Sequence, residues 1–197
     1  EAAKWYRTAA EQGLAQAQLR LGVRYHEGRG VPQDYAEAVK WFRKAAEQGN
    51  EQAQLKLGLL HIIGHGVPQD FVEATKWFWM AAQQGVPEAQ FHVGVAYFRQ
   101  DRGMPKDPAE GARWYRKAAE QGHAEAQYRL GLTYIIGMGV PQDHVLAHMW
   151  INLATSQASE EEREERERNR ESVARKMTPT QLAEAQRLAR EWRVKTP

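Results

Sequence analysis

The chain has 197 residues, of which 42% are hydrophobic and 26% charged, a composition typical of globular proteins. Its formal net charge of +2 is too small to indicate nucleic acid or an anionic membrane as a partner. It contains no cysteine, which excludes disulfides, thiolate metal sites and a cysteine nucleophile, and no apolar run long enough to predict a membrane span. The compartment stays open between the cytoplasm and the periplasm or secretion.

A period of about 36 residues runs through most of the chain. The same spacing of 36 or 37 residues separates one series of tryptophans, one of glycines and one of turn aspartates. Because these independent features share one period, the chain is predicted to be a helical repeat protein. The three series are Trp5, Trp41, Trp77, Trp114 and Trp150; Gly13, Gly49, Gly85 and Gly122; and Asp34, Asp70, Asp107 and Asp143.

The first predicted elements are a partial repeat and one complete unit. Residues 1–13 are typical of the second helix of a truncated repeat, so we expect the chain to begin inside a repeat. In the unit 14–49, apolar residues recur at helical spacing over 15–27, and Gly22 permits close approach of a neighbouring helix. Gly28 is expected to end this first helix in the left-handed conformation.

The second helix of the unit follows the turn GRGVPQD. Asp34 is expected to cap it and to form a capping box with Glu37. Gly49 ends the helix, and Asn50 caps the next one. The residues expected to be buried on this second helix are Ala38, Trp41, Phe42, Ala45 and Ala46.

Three further units repeat this hairpin at 50–85, 86–122 and 123–158. The third complete copy carries one extra residue, and Asp101 takes the place of the first turn glycine there. A single hairpin cannot bury its apolar faces, whereas stacked copies can. The predicted fold is therefore all-α: an α/α superhelical solenoid with C-terminal capping helices at 159–197.

The C-terminal segment 159–197 changes character. Residues 160–171 are dominated by Glu and Arg, with Ser159 and Glu162 predicted to form a capping box. We interpret this segment as a solvated helix that ends the stack, with a charged interaction surface as the alternative. Thr178 and Pro179 start a last helix, whose apolar stripe we expect to dock within the chain. The stripe comprises Leu182, Ala185, Leu188, Ala189 and Trp192.

The repeated pattern resembles the Sel-1-like repeat (SLR) family of the tetratricopeptide-like superfamily. The residues that carry the resemblance in the first complete unit are Leu21, Gly22, Tyr25, Gly28, Gly30, Val31, Asp34, Ala38, Trp41, Ala45, Ala46 and Gly49. The resemblance covers residues 1 to about 158. It implies a bacterial, non-catalytic adaptor or scaffold that binds a protein or peptide.

In the related tetratricopeptide superhelix the first helices line the concave face, so the resemblance places a partner-binding groove there. The alternative, left open by the sequence, is that these side chains pack on adjacent helices or that the last helix fills the groove. In two of the units the series of groove-facing positions ends with an isoleucine, Ile63 or Ile136. The predicted groove residues are Leu19, Val23, Leu55, Leu59, Ile62, Phe91, Val95, Phe98, Tyr128, Leu132 and Ile135.

A second candidate contact lies on the outer face. Trp79 stands at the register of Arg7, Arg43 and Arg116, and Met80 stands where Lys44 and Lys117 occur, which would suit a partner contact or self-association into a homo-oligomer. A single exposed tryptophan also needs no functional explanation.

No residues indicate cofactor, metal or catalytic chemistry. The pairs His61/His65 and His144/His148 lack a third ligand and a general-base glutamate, so neither predicts a metal site. The alternative of a hydrolase-type enzyme would need a converging pocket of titratable groups, which the groove register does not supply. An RNA-binding repeat would need Arg, Lys or Asn at groove positions that are Leu, Ile, Phe and Tyr, so we predict no nucleic-acid partner.

Overall fold

The computed structural model describes residues 2–99 and 102–192, with the backbone alone for the first four, and this part of the chain holds eleven helices and no strand. The predicted all-α solenoid class is confirmed. Asp101 lies outside the described residues. The helices are α1 (Ala2–Glu11), α2 (Ala15–Glu27), α3 (Tyr35–Glu47), α4 (Glu51–Ile63), α5 (Phe71–Gln83), α6 (Pro87–Phe98), α7 (Pro108–Glu120), α8 (Ala124–Ile136), α9 (His144–Thr155), α10 (Glu160–Ala174) and α11 (Pro179–Glu191).

The chain divides into two compact units, each described here by itself. The first comprises Glu1–Ala89 with Asp101–Met104, and the second comprises Gln90–Gln100 with Pro105–Pro197. In the first unit α2 packs on α3 and α4 on α5, while in the second unit α8 packs on α9. The helix hairpin predicted from the period is therefore present in both units.

A glycine in each first helix lets the two helices of a hairpin approach closely. A Cβ atom built on Gly58 would lie 2.4 Å from the Phe78 ring. In the second unit, a Cβ on Gly131 would lie 2.6 Å from the side chain of Ile151. Real Cβ contacts are not that short, so a larger residue would force the helices apart. The close approach predicted for this glycine position is confirmed.

The two glycines of the turn have different tasks. Gly64 ends α4 with φ 82°, a left-handed conformation that glycine adopts without steric cost. Gly66 lies against the start of α3 in the preceding repeat, where an added Cβ would come within 2.4 Å of the Tyr35 carbonyl. The first glycine therefore ends a helix, and the second allows neighbouring repeats to meet.

The second helices are capped by aspartate as predicted, but the capping box is incomplete. The Asp34 side chain accepts a hydrogen bond of 3.0 Å from the Glu37 backbone N–H. The Glu37 carboxylate pairs with Lys40 one turn on, as Glu73 does with Lys76. An ion pair within the helix thus replaces the return bond that we expected from the glutamate.

Buried glutamines connect successive helices, a feature that the sequence analysis did not identify. The Gln54 amide donates to the Ala46 carbonyl of α3 at 3.1 Å and accepts from Gln84, which caps α5, at 2.9 Å. Gln127 does the same in the second unit, donating to Ala119 and accepting from Gln157. Each such glutamine satisfies polar groups at a helix end inside the core.

The last two helices both pack on α9 and make few contacts with each other. The capping boxes predicted for Ser159 and Thr178 are present. On α11, Ala185 is fully buried, and the Trp192 ring lies 4.7 Å from Trp150 of α9, so the predicted docking within the chain is confirmed.

Helix α10 differs from the solvated helix that we expected. Arg166 is only 3% exposed, and it donates to the Ala154 carbonyl at 2.9 Å. The same guanidinium pairs with Glu125 of α8 at 3.1 Å and with Glu162 at 3.0 Å. One face of α10 is therefore part of the folded stack, because a buried arginine takes over the role of an apolar anchor.

Candidate functional site

In the first unit, the predicted groove residues on α2 and α4 differ in exposure. Leu19 and Leu55 are buried in the core, and Val23 packs against the same cluster. Leu59 and Ile62 are half-buried. The register ends at Ile63, whose side chain is 56% exposed, which makes it one of the most exposed large apolar residues of the chain. The available apolar surface of this unit therefore lies toward the end of α4.

In the second unit, aromatic packing takes up part of the predicted groove. The Phe91 ring lies 5.1 Å from His123 and 5.7 Å from Tyr115, and Phe98 stacks on the same Tyr115 at 5.2 Å. Val95 is half-buried against the core. These side chains serve mainly to hold α6 on its neighbours.

Tyr128 of α8 is covered by the terminal helix α10. Its hydroxyl donates to Glu165 at 2.8 Å and accepts from Asn169 at 2.6 Å. Burial, with a further contribution from the Glu165 hydrogen bond, raises the pKa of Tyr128 to about 12. The phenol is therefore neutral and locked to α10, and it is not available to a partner in this conformation.

The end of α8 exposes an apolar side chain in the same way as the end of α4. Leu132 and Ile135 are half-buried, and Ile136 is 61% exposed. Ile136 occupies the same repeat position as Ile63. Matching residues at the ends of two first helices, one in each unit, are therefore exposed or half-buried. We use the term first-helix surface for these residues of either unit: Leu59, Ile62 and Ile63 in the first unit, and Leu132, Ile135 and Ile136 in the second.

The outer-face candidate is also partly accessible. Trp79 is half-buried, and Met80 is 46% exposed. In two other repeats the position of Met80 carries a lysine whose ammonium lies over a tryptophan ring, as Lys117 lies 3.8 Å from the Trp114 ring centroid. Met80 therefore replaces a cation with an apolar side chain.

The histidine pairs show no metal-binding arrangement. Among the described residues, no group of three His, Asp or Glu side chains is placed to hold a metal ion. His61 is buried, and its ring nitrogens have no hydrogen-bond partner there. Burial, with a smaller contribution from Arg170, lowers the pKa of His148 below its ordinary value of 6.5. His61 and His148 are therefore each buried in the packing between helices.

A cavity of about 470 Å³ lies in the second unit, between α9 and the end of α11. Its walls are mainly apolar, formed by Trp150 and Trp192 with leucine and methionine side chains. Arg116, at its rim, donates a hydrogen bond to the Tyr134 hydroxyl. The carboxylates of Glu120 and Glu191 also line the cavity, whose described lining contains no serine, threonine, histidine or lysine.

None of the described helices is both long and apolar enough to cross a membrane.

The sequence matches a model of the Sel1 repeat five times, over residues 1–14, 15–50, 51–86, 87–123 and 124–159. These limits each lie one residue beyond the boundaries expected from the period. No curated protein that was compared with the chain is similar to it.

Among solved structures, the chain is similar to a protective antigen of uropathogenic Escherichia coli strains that displays an SLR fold, with a TM-score of 0.84 and 36% identity. The match covers 96% of this chain and 40% of the antigen. A Sel1 repeat protein from Oxalobacter formigenes gives a TM-score of 0.74 and 38% identity over 80% of this chain and 64% of that one. An immunity protein from Pseudomonas aeruginosa shares the fold, with a TM-score of 0.50 and 22% identity over 96% of this chain and 70% of that one. The chain thus spans less than two thirds of the first two structures.

Proposed function

Because the chain belongs to the Sel1 repeat family, whose members generally mediate protein–protein interactions, we propose that it is a scaffold that binds a peptide or helix of a partner protein on its first-helix surface. The observation that carries the proposal is the exposure of Ile63 and Ile136, at 56% and 61%, at one repeat position in two different hairpins. An exposed isoleucine is ordinary, but its repetition at a fixed position, each time beside half-buried apolar residues, is typical of a recognition surface.

The spacing on each helix suits a partner helix or an extended peptide. Leu59, Ile62 and Ile63 are three and four residues apart, so they share one helix face. Burying the exposed part of one isoleucine contributes about 1 kcal/mol, which is small for one contact but adds up over several repeats. A surface of this kind binds through matching apolar anchors.

Catalysis is not part of the proposal. The Sel1 repeat fold is usually non-catalytic.

The experiment compares capture of partners from a lysate of the source organism by three baits. They are the wild type, the first-helix variant Ile63→Asp/Ile136→Asp, and the control Val72→Asp/Met138→Asp. The control also removes two exposed apolar residues, each 43% exposed, neither of which belongs to the first-helix surface. Circular dichroism verifies that all three are equally helical.

We expect at least one protein to be retained by the wild type and the control and lost by the first-helix variant, read by quantitative mass spectrometry. Equal retention by all three baits, or equal loss from both variants, contradicts the proposed site.

A second candidate is self-association through the outer face, which rests on the exposed Met80 beside Trp79. Sedimentation of the wild type and of Met80→Lys tests it. A concentration-dependent dimer that disappears in the lysine variant supports this candidate, and a monomer at all concentrations eliminates it.

A further inference from the structure

The terminal helices leave a cleft of about 450 Å³ between them, above α9. Its floor includes Asn152 and Thr155 of α9. One wall is formed by Arg163, Glu167 and Arg170 of α10, and the other by Ala189 and Arg190 of α11. The cleft lies wholly in the second unit and shares no residue with the first-helix surface.

The repeat pattern changes at a position that lines this cleft. Glu167 follows Gly131 by 36 residues, so it stands where a first helix otherwise has its contact glycine. At Gly131 even one added carbon would come within 2.6 Å of Ile151. A glutamate at that position is too large for the close approach that Gly131 allows between α8 and α9.

The arginines of this segment fall into two groups. Four of them pair with carboxylates: Arg166 with Glu125 and Glu162, Arg168 with Glu164, Arg175 with Glu171, and Arg187 with Glu184 and Glu191. Among the described contacts, Arg163, Arg170 and Arg190 pair with no carboxylate, and these three are the ones that line the cleft. Three guanidinium groups therefore face one carboxylate, that of Glu167.

Two of the three arginines are held in place without being neutralised. Arg170 donates to the Asn152 side-chain oxygen at 2.9 Å, and Arg163 donates to the Ala158 carbonyl at 3.4 Å. Both acceptors are neutral, so the positive charge stays available. Guanidinium groups present several donors in a planar fork that fits a carboxylate.

An unsatisfied buried group lies at the other end of the cleft. A further cavity of about 330 Å³ shares Asn152 and Arg170 with it and is lined by His148. His148 is only 5% exposed, and its Nδ1 has no hydrogen-bond partner. A buried polar atom without a partner costs free energy, and a ligand atom in the cavity would satisfy it.

We propose that this cleft binds an acidic segment of a partner protein, with carboxylates on Arg163, Arg170 and Arg190. A water molecule occupies about 30 Å³ of liquid, so the cleft is much larger than an inorganic anion requires. Its mixed lining, with Leu153 and Ala189 beside the arginines, suits side chains carried on a backbone. The cleft is thus a second interaction surface, independent of the proposed first-helix surface.

The test uses the full chain and a fluorescein-labelled hexaglutamate peptide, with binding followed by fluorescence anisotropy at low salt. The cleft variant is Arg163→Gln/Arg170→Gln/Arg190→Gln. The control Arg168→Gln/Arg175→Gln/Arg187→Gln removes the same charge from arginines outside the cleft. We expect the cleft variant to weaken binding by about tenfold or more and the control by less than about threefold.

Two measurements keep the result interpretable. Arg163→Gln/Arg190→Gln removes only exposed arginines, so it keeps the fold if loss of the Arg170–Asn152 bond disturbs α10. The NMR signal of the His148 ring is expected to shift on peptide addition in the wild type and not in the cleft variant. Equal weakening in cleft and control variants, no binding by the wild type, or displacement of the peptide by an equal concentration of inorganic phosphate overturns the proposal.

Discussion

Helices α8 and α9 close on each other along a glycine, whereas α10 and α11 both lean on α9 and leave a cleft between them. Both pairs lie in the same unit, and α10 begins 36 residues after α8, although the Sel1 repeat matches end at residue 159. They differ at the position where the two helices of a hairpin touch, which is Gly131 in the first pair and Glu167 in the second, and in the apolar residues that α10 lacks. The comparison teaches that a closed hairpin combines a glycine at this position with an apolar helix face.

The two helix pairs also differ in their buried polar contacts. In α8, Gln127 is buried, and both the NH₂ group and the carbonyl oxygen of its side-chain amide are hydrogen-bonded within the core. In α10, Arg166 provides the buried anchor to α9 and other arginines face the cleft. A closed hairpin satisfies its polar groups internally, while the terminal pair presents charge at its surface.

The largest expected effect on stability comes from substituting the glycine at which the two helices of a hairpin touch. Gly131→Leu forces a side chain into Ile151 and is expected to destabilise the chain by about 2–3 kcal/mol. Glu167→Leu, at the same repeat position, changes stability by less than about 0.5 kcal/mol because α10 and α11 are already apart. Urea denaturation followed by circular dichroism measures both, and similar losses in the two variants would contradict the difference between the close contact at Gly131 and the open position at Glu167.

Removing a buried glutamine is expected to have the next largest effect. Gln127→Leu removes two hydrogen bonds, one to the Ala119 carbonyl and one from the Gln157 amide, and is expected to cost about 1–2 kcal/mol. The Ala119 carbonyl keeps its bond from the Gly122 N–H, and the Gln157 amide keeps its bond to the Leu153 carbonyl. The control Gln186→Leu changes an exposed residue of α11 and stays within about 0.5 kcal/mol. If the same denaturation experiment gives equal values for the two variants, the glutamine pairs do not stabilise the stack.

A smaller effect concerns the dependence of folding stability on pH. The folded pKa of His148 is lower than its ordinary value of 6.5, so the unfolded chain binds more protons as pH falls below that value. The corresponding stability is present above about pH 6.5 and is lost as pH falls through the folded pKa. His148→Gln should therefore flatten the fall in stability on this acidic side, measured as the urea midpoint against pH. Parallel curves for wild type and variant would show that His148 does not cause the loss of stability at acidic pH.

The period accounts for most of what the sequence could predict. The helix limits, the aspartate caps, Gly28 and the close contact at Gly22 all follow from residue types at fixed offsets. Gln54 and Gln127 share the same period and could have been found from it, but glutamine is usually an exposed residue and gave no reason to expect burial.

Other features depend on tertiary contacts that one sequence does not contain. Register places Leu19, Leu59 and Tyr128 on one predicted face, but it does not say how far a neighbouring helix covers each of them. Tyr128 is covered because α10 has Glu165 and Asn169 facing it. The burial of Arg166 and the cleft beside Arg163 likewise arise from how three helices pack.

The most direct test of the central claim is site-specific photo-crosslinking in cells of the source organism. The photoreactive residue benzoylphenylalanine replaces Ile63, Ile136 or, as the outer-face control, Met80. All three positions are exposed, so each variant should fold like the wild type. The account predicts crosslinks to the same partner protein from Ile63 and Ile136 and none from Met80. Crosslinks from Met80 alone would contradict it and place the interaction on the outer face.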